Sequence, residues 1–203
     1  MLKLLRAPIG RAIAPLGRSL AHAGVTPDMV TVAGTLGSTR SALALYPRGQ
    51  FFAGTLCVWL FVMFDMVDGA VARAGGLATP FGAVLDSSCD RIADAAVFAG
   101  LAWYFARHDQ PWLLAAALLC LVLGSLTSYI KARAEAMGFV CDVGLAERSE
   151  RLIVVLVGTG LTGWPFRVPY VQAIALWLLA IASTVTVGQR LATVWKQSRV
   201  RTP

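Results

Sequence analysis

The chain has 203 residues and a formal net charge of +7, with 57% hydrophobic but only 14% charged residues. Soluble domains carry about 25% charged residues, so this composition excludes an ordinary soluble enzyme and also a disordered chain. The apolar residues occur in blocks of about 18–23, each long enough to cross a hydrocarbon core about 30 Å thick. The sequence therefore predicts a helical membrane protein that crosses the bilayer several times.

The first 24 residues have a different character from the rest of the chain. They mix Leu, Ile and Ala with basic residues such as Lys3, Arg6 and Arg11, and they lack the continuous apolar stretch of a signal peptide. This pattern predicts a juxtamembrane amphipathic helix over residues 1–24, whose basic face lies on lipid headgroups.

Six apolar spans follow, which predict an all-α bundle of six transmembrane helices forming one membrane domain over residues 25–203. Turn-forming stretches such as Gly163-Trp164-Pro165 separate the spans, so consecutive helices are expected to pair as hairpins. The predicted spans are residues 28–46, 51–73, 82–105, 112–134, 149–166 and 169–192.

The distribution of Lys and Arg predicts the orientation of the bundle. Basic residues at both termini, between spans two and three, and between spans four and five outnumber those in the opposite loops, which hold Arg48, Arg107 and Arg167. Both termini are therefore expected in the cytoplasm. The positive charge is spread along one membrane face without a recognition motif, so no nucleic-acid partner is expected.

Aspartates interrupt two of the apolar spans. A charge at the centre of a bilayer costs about 2.5–3.5 kcal/mol, so such residues usually face a polar cavity. On a helix, Asp65 and Asp68 share one face, and so do Asp86 and Asp90, because they are three and four residues apart. At about 1.5 Å per residue, all four are expected about 6–12 Å inside the cytoplasmic boundary.

Four carboxylates at one depth require a cation. Oxygen ligands favour hard cations, and His22 and His108 lie in other segments, so we expect two Mg²⁺ ions, or Mn²⁺, rather than zinc. The alternative is that the aspartates form structural ion pairs with Arg73, Arg91 and Arg133.

These acids belong to a longer pattern that resembles, at every fixed position, the signature of the CDP-alcohol phosphotransferases, membrane enzymes of phospholipid synthesis. The resemblance implies that the four aspartates bind two divalent ions and that Asp90 is also the catalytic general base. The pattern reads Asp65-x2-Asp68-Gly69-x2-Ala72-Arg73-x8-Gly82-x3-Asp86-x3-Asp90.

The same resemblance implies a site for CDP-diacylglycerol. Gly69 and Ala72 leave a shallow helix face that either approaches the cytosine or packs closely against another helix. Asp28 belongs to a Thr-Pro-Asp segment that the family places near the nucleotide. Its carboxylate either accepts a hydrogen bond from the cytosine amine or caps the helix. The expected residues are Asp28, Thr31, Gly69, Ala72, Arg73 and Gly82.

Basic residues in the last three spans predict a separate anion pocket. Arginine suits a phosphate because its planar donors bind two oxygens at once, and a phosphate pocket indicates a phosphorylated acceptor. The alternative, membrane anchoring by positive charge, is preferred for Lys196, Arg199 and Arg201. The candidate phosphate ligands are Ser128, Lys131, Arg133, Arg148, Arg151 and Arg190.

Within the family, the stretches SYIKARAE, Glu-Arg-x2-Arg-Leu and Gln-Arg resemble those of the actinobacterial phosphatidylinositol phosphate synthases. This resemblance implies transfer of the phosphatidyl group from CDP-diacylglycerol to inositol 1-phosphate with release of CMP, by a homodimer among the lipids of a bacterial plasma membrane. The alternatives are a phosphatidylglycerophosphate synthase, whose acceptor is glycerol 3-phosphate, and a divalent-cation transporter. The loop over residues 138–144 is more apolar than expected for these enzymes.

Overall fold

The computed structural model describes residues 15, 18–20, 22–75 and 79–201, without the side chains of residues 65, 66, 73–75, 200 and 201. Most of the predicted amphipathic helix over residues 1–24 lies outside the described residues and stays a prediction. The described residues form α-helices and a short 3₁₀ turn, with no β-strand among them, so the all-α prediction is confirmed.

The helices follow the chain with short connections, and half of the predicted spans match them closely. The spans 28–46, 82–105 and 112–134 are helical within two residues of their predicted ends. The 3₁₀ turn is Tyr46–Arg48. The helices are α1 (Pro27–Leu45), α2 (Phe51–Val62), α3 (Phe64–Gly75), α4 (Pro80–Arg107), α5 (Pro111–Ala136), α6 (Arg148–Thr162) and α7 (Val171–Arg201).

Three spans differ from their predicted form. The span 51–73 is divided by a turn at Met63, which separates α2 from α3. Helix α6 ends at Thr162 rather than residue 166, because Gly163 is extended and precedes a Trp-Pro pair that disfavours helix. Helix α7 continues to Arg201 instead of ending at residue 192, since no glycine or proline interrupts its last turns.

Three segments of the described chain are long and apolar enough to cross a membrane. They are Phe51–Ala72, Pro111–Ala136 and Val171–Arg199. Helix α4 is also long enough, with 28 residues, but its first half carries Asp86, Asp90 and other charged side chains. Such a helix needs polar surroundings for those groups, so α4 is the helix that indicates a functional site.

Two helices begin with the same Thr-Pro pair. In α1 the Thr26 hydroxyl accepts a hydrogen bond from the Met29 N–H at 3.3 Å, and in α4 the Thr79 hydroxyl accepts one from the Gly82 N–H at 2.9 Å. Threonine caps the free N–H groups of the first turn, and the proline after it has no N–H to leave unpaired.

The chain divides into two compact units. Unit 1 comprises Met1–Ala44 and Leu56–Ala96, and unit 2 comprises Leu45–Thr55 and Val97–Pro203. In unit 1, α1 lies very close to the aromatic side chains around the Met63 turn: a Cβ on Gly34 would be 2.9 Å from the Phe64 Cβ. Small residues permit such close helix approach in membrane proteins, and this packing brings α1 next to the aspartate-bearing α3.

Unit 2 is built mainly from α5, α6 and α7. Gly158 lets α6 approach α7, since a Cβ there would lie 2.6 Å from the Ala175 Cβ. Its interior contains polar as well as apolar groups: the buried Gln172 donates to the Thr159 hydroxyl at 3.4 Å. The assignment of residues 25–203 to one six-helix domain stays a prediction.

Candidate functional site

A cavity of about 210 Å³ in unit 1 collects most of the residues that the signature predicts. It lies among α1, α3 and α4, and the first turns of α1 and α4 contribute to its wall. The positive end of a helix dipole favours a negatively charged ligand, so two such ends suit a diphosphate. The lining residues are Pro27, Asp28, Thr31, Asp68, Gly69, Ala72, Thr79, Gly82, Ala83 and Asp86.

Two of the four predicted metal ligands face this cavity. Asp68 in α3 is only 9% exposed and accepts a hydrogen bond from the Thr31 hydroxyl of α1 at 2.5 Å. Asp86 in α4 lines the same cavity from a different helix and is partly buried. The spacing of the motif thus does bring carboxylates from two helices to one place.

The other two acids of the signature are placed differently. The side chain of Asp65 lies outside the described residues. Asp90 does not line the cavity, and its carboxylate is 3.8 Å from the Arg91 guanidinium, which is also 3.7 Å from the carboxylate of Asp94. For Asp90, then, the structure contains one of the ion pairs that the sequence left open as an alternative.

The donor chemistry of the cavity fits a divalent ion. Among the described side chains, no group of three His, Cys, Asp or Glu residues is close enough to form a metal site. Asp68 and Asp86 nevertheless offer carboxylate oxygens from two helices to one open cavity, and the Thr31 hydroxyl orients the first of them. Oxygen ligands without histidine or cysteine favour Mg²⁺ or Mn²⁺.

The predicted nucleotide residues share the cavity with the acids. Asp28, Thr31, Gly69, Ala72 and Gly82 all line it, whereas the side chain of Arg73 lies outside the described residues. Asp28 is not the helix cap, because Thr26 caps α1, so its carboxylate is available to the cavity.

Gly82 has a steric role at this wall. A Cβ on Gly82 would lie 3.2 Å from the Asp28 carboxylate and equally close to the Thr79 hydroxyl. The glycine therefore leaves room beside Asp28. Pro27 belongs to the predicted Thr-Pro-Asp segment, whereas Thr79 and Ala83 were missed, although the second Thr-Pro pair could have identified Thr79.

Unit 2 places two of the predicted phosphate ligands at one buried threonine. Arg151 of α6 is 5% exposed and donates from Nη1 to the Thr127 hydroxyl at 3.1 Å and to the Ala146 carbonyl at 3.0 Å. Arg190 of α7 is 6% exposed and donates from Nη1 to the Thr127 carbonyl. The two guanidinium groups thus converge on one turn of α5.

The remaining four candidates are not all placed with the two arginines. The Ser128 hydroxyl donates to the Gly124 carbonyl at 3.1 Å, and the Lys131 ammonium lies 2.6 Å from the Asp142 carboxylate. Arg148 is partly buried at the start of α6. Arg133 is exposed and, two residues after Lys131, points to the opposite side of α5, so it does not join the group.

Two residues of this region were not identified from the sequence. Thr127 is fully buried and accepts from both arginines, and Asp142 pairs with Lys131 from an adjacent loop. No local pattern marks either of them, because the basic residues that they contact lie at least eleven residues away in the chain.

Comparison with known proteins identifies the family. Residues 24–188 match the model of the CDP-alcohol phosphatidyltransferase family. A phosphatidylinositol phosphate synthase of Mycobacterium tuberculosis is 54% identical over 196 residues, covering 95% of this chain and 89% of that protein. One from Streptomyces avermitilis is 46% identical over 202 residues, covering 97% of this chain and 83% of that protein.

Solved structures agree with the sequence comparison. The crystal structure of the Mycobacterium tuberculosis phosphatidylinositol phosphate synthase with CDP-DAG bound has a TM-score of 0.87 and 53% identity, covering 91% of this chain and 94% of that one. The same protein in complex with manganese and citrate has a TM-score of 0.86 at 53% identity, covering 90% and 88%. The chain described above belongs to the CDP-alcohol phosphatidyltransferase family.

Proposed function

We propose that this chain transfers the phosphatidyl group of CDP-diacylglycerol to inositol 1-phosphate and releases CMP, as a phosphatidylinositol phosphate synthase. The observation that carries the proposal is the cavity of unit 1, where Asp68 and Asp86 meet Gly69, Gly82 and Asp28. Relatives of that name match nearly the whole chain, and one of them has been solved with CDP-DAG bound.

The cavity suits the nucleotide diphosphate end of the lipid. We propose that Asp28 accepts a hydrogen bond from the cytosine amine, and that Gly69, Ala72 and Gly82 allow the flat base to approach the helix backbones. Thr31 acts through Asp68, since its hydroxyl donates to that carboxylate at 2.5 Å. Arg73 is proposed as a further contact to the diphosphate on the strength of the signature alone.

The metal ligands of the proposal are Asp65, Asp68, Asp86 and Asp90, holding two divalent ions, Mg²⁺ or Mn²⁺. Divalent ions neutralise negative charge on phosphoryl oxygens as a diphosphate is cleaved. A relative solved in complex with manganese supports this choice of metal, as does the oxygen-only donor set of the cavity.

Asp90 is proposed to take the proton from the acceptor hydroxyl. The hydroxyl oxygen then forms a bond to the lipid-bearing phosphorus, the bond from that phosphorus to the CMP oxygen breaks, and CMP leaves with the electron pair. Arg91, 3.8 Å from the Asp90 carboxylate, would hold that side chain in place while it accepts the proton.

The acceptor phosphate is assigned to unit 2. Arg151 and Arg190 supply guanidinium groups, Lys131 supplies an ammonium, and Ser128 supplies a hydroxyl along one side of α5. Buried arginines are costly without anionic or carbonyl partners, and the planar guanidinium suits a phosphate. Arg148 is a weaker candidate at the edge of this group, and the exposed Arg133 is assigned to the membrane surface.

The setting in the membrane is also a proposal. We place six spans across the bacterial plasma membrane, with both termini and the reaction on the cytoplasmic side and with the chain acting as a homodimer. The three apolar segments Phe51–Ala72, Pro111–Ala136 and Val171–Arg199 and the bias of basic residues support this arrangement.

An acceptor comparison tests the function. Purified protein in detergent micelles with CDP-diacylglycerol and Mg²⁺ is given inositol 1-phosphate, glycerol 3-phosphate or inositol in separate reactions, and CMP release and the lipid product are measured. We expect turnover with inositol 1-phosphate at least about ten times faster than with the other two. Faster turnover with glycerol 3-phosphate would instead identify a phosphatidylglycerophosphate synthase, and Mg²⁺ uptake by liposomes without lipid product would identify a transporter.

A further inference from the structure

The loop that joins α5 to α6 is fixed to α7 along its backbone. The side chain of Gln197 makes two hydrogen bonds with Val140, accepting from its N–H at 3.0 Å and donating to its carbonyl at 2.6 Å. Arg190 donates from Nε to the Val143 carbonyl at 3.0 Å. The backbone is therefore anchored on both sides of Asp142.

Further contacts restrict the same loop. The Thr186 hydroxyl of α7 accepts from the N–H groups of Leu145 and Ala146, at 3.2 and 3.1 Å. Gly144 has a φ of +147°, and a Cβ on it would lie 2.5 Å from the Thr186 Cγ2, so no side chain fits there. The path of the loop past α7 is thus fixed by these hydrogen bonds and by the close packing of Gly144 against Thr186.

The side chain of Asp142 extends from this fixed backbone to a cation of the proposed acceptor site. Its carboxylate lies 2.6 Å from the Lys131 ammonium, and the side chain is 70% exposed. Glu135, one turn further along α5, is also near Lys131 but at 3.7 Å. Asp142 is therefore the nearer of two acids that neutralise this lysine, and its position is set by the loop rather than by its own helix.

Two neighbouring loop residues provide oxygen atoms that contact two cationic side chains of the proposed acceptor site. Asp142 contacts Lys131 through its carboxylate, and Val143 contacts the buried Arg190 through its carbonyl oxygen. These are oxygen acceptors of the kind that a phosphate offers. Because the Lys131 pair is largely exposed to water, it is weak and an incoming anion can displace it.

We infer that Asp142 is a specificity-determining residue, whose carboxylate holds Lys131 until a phosphate of higher charge displaces it. The inference rests on the proposed assignment of Lys131 to the acceptor phosphate. A phosphate carries nearly two negative charges at neutral pH and three acceptor oxygens, whereas a polyol hydroxyl carries no charge. Asp142 therefore competes with any group that binds Lys131, and only a phosphate has the charge and the oxygens to compensate for the displaced carboxylate.

Phosphate binding in the absence of turnover tests this inference. The dissociation constant of inorganic phosphate is measured by calorimetry at pH 8 and low salt for the wild-type protein, Asp142→Asn and Asp142→Ala. Since exposed ion pairs are weak, we expect both variants to bind phosphate about three to five times more tightly. Glu135→Gln, which removes the more distant acid, is the matched control and should change binding by less than about two-fold.

Steady-state kinetics give a second readout. In both Asp142 variants the KM for inositol 1-phosphate should fall by a similar factor while kcat stays within about two-fold, because the carboxylate competes for binding and takes no part in the reaction. Phosphate binding that is unchanged or weaker in both variants would overturn the inference. A raised KM would do so too, since it would mean that Asp142 binds the acceptor.

The two proposals fail in different ways. If the chain uses another phosphorylated acceptor, inositol 1-phosphate supports no turnover, but the tighter binding of inorganic phosphate by the Asp142 variants remains. If Asp142 has only a structural role, turnover with inositol 1-phosphate persists in the wild-type protein and the phosphate dissociation constant does not fall in either variant.

Discussion

The acidic site of unit 1 and the basic site of unit 2 are stabilised in different ways. In unit 1, Asp68 and Asp86 face a cavity of about 210 Å³. In unit 2, Arg151 and Arg190 are almost fully buried and donate to carbonyl and hydroxyl oxygens of the protein itself. The acids are thus arranged around space for a ligand, whereas the arginines also hold three parts of the fold together.

This difference separates activity from stability. A change to a cavity acid should affect the reaction with little effect on folding, while a change to a buried arginine should affect both. Four variants test that separation.

Asp86→Asn should reduce transfer by more than about a hundred-fold, because the amide removes a charge from the proposed metal site and the outer partners of metal ligands alone contribute 10–100-fold. The temperature of thermal unfolding in detergent should stay within about 2 °C of wild type. Asp109→Asn, in a connection of unit 2 where φ is +51°, is the control and should retain full activity, since asparagine tolerates that conformation. A large loss of stability in Asp86→Asn would contradict the comparison, because it would mean that a cavity acid also supports the fold.

Arg151→Gln should raise the KM for inositol 1-phosphate by about thirty-fold and also lower the free energy of unfolding by about 2–3 kcal/mol, since hydrogen bonds from a charged group to Thr127 and Ala146 are lost. Acceptor titrations measure the first effect and chemical denaturation in micelles the second. Arg107→Gln, at an exposed helix end, should change neither. If Arg151→Gln raises the KM without lowering the stability, the arginine only binds the acceptor and does not support the fold. The proposed difference between the two sites would then be wrong.

Thr31→Val should lower kcat by about ten-fold, because the hydrogen bond that orients the Asp68 carboxylate is lost while the shape of the side chain is kept. Thr31→Ser, which keeps the hydroxyl, should restore most of the activity. The dependence of the rate on Mg²⁺ concentration is the additional readout, since a misoriented ligand should shift its midpoint upward. An unchanged midpoint in Thr31→Val would argue that Thr31 contacts the substrate instead.

Gly82→Ala should have the smallest effect, about a three-fold rise in the KM for CDP-diacylglycerol. The added methyl would sit 3.2 Å from both the Asp28 carboxylate and the Thr79 hydroxyl, so each must move by a few tenths of an ångström. Stability should rise slightly, since alanine favours a helix over glycine by up to about 1 kcal/mol. A variant that gains stability and keeps its KM would show that the space beside Asp28 is not used by the nucleotide.

The sequence predicted which residues of α3 and α4 come together at the cavity, because the information there is local; their roles stay a prediction. The spacing of Asp68, Gly69, Ala72, Gly82 and Asp86 fixes which face of each helix they occupy, and all five line one cavity. Asp90 belongs to the same spacing but turns toward Arg91, which depends on side-chain packing that a helical period does not describe.

The basic site was only partly predictable. Lys131, Arg151 and Arg190 were identified from their charge and their positions inside helical patterns, but their partners were not. Thr127 and Asp142 become relevant only when α6, α7 and the loop before α6 are packed on α5. Among the helices, the break at Met63 was missed for a similar reason, since neither glycine nor proline marks it.

Thr127 accepts hydrogen bonds from the two arginines at two chemically different groups. Its hydroxyl accepts from Arg151, and its main-chain carbonyl accepts from Arg190. Mutation of position 127 can remove the hydrogen bond to Arg151, but every amino acid has a main-chain carbonyl that can accept from Arg190. The hydrogen bond from Arg190 to α5 is therefore independent of which residue occupies position 127. Substitutions at position 127 should therefore weaken the contacts of Arg151 when they remove the hydroxyl, and leave those of Arg190 in place.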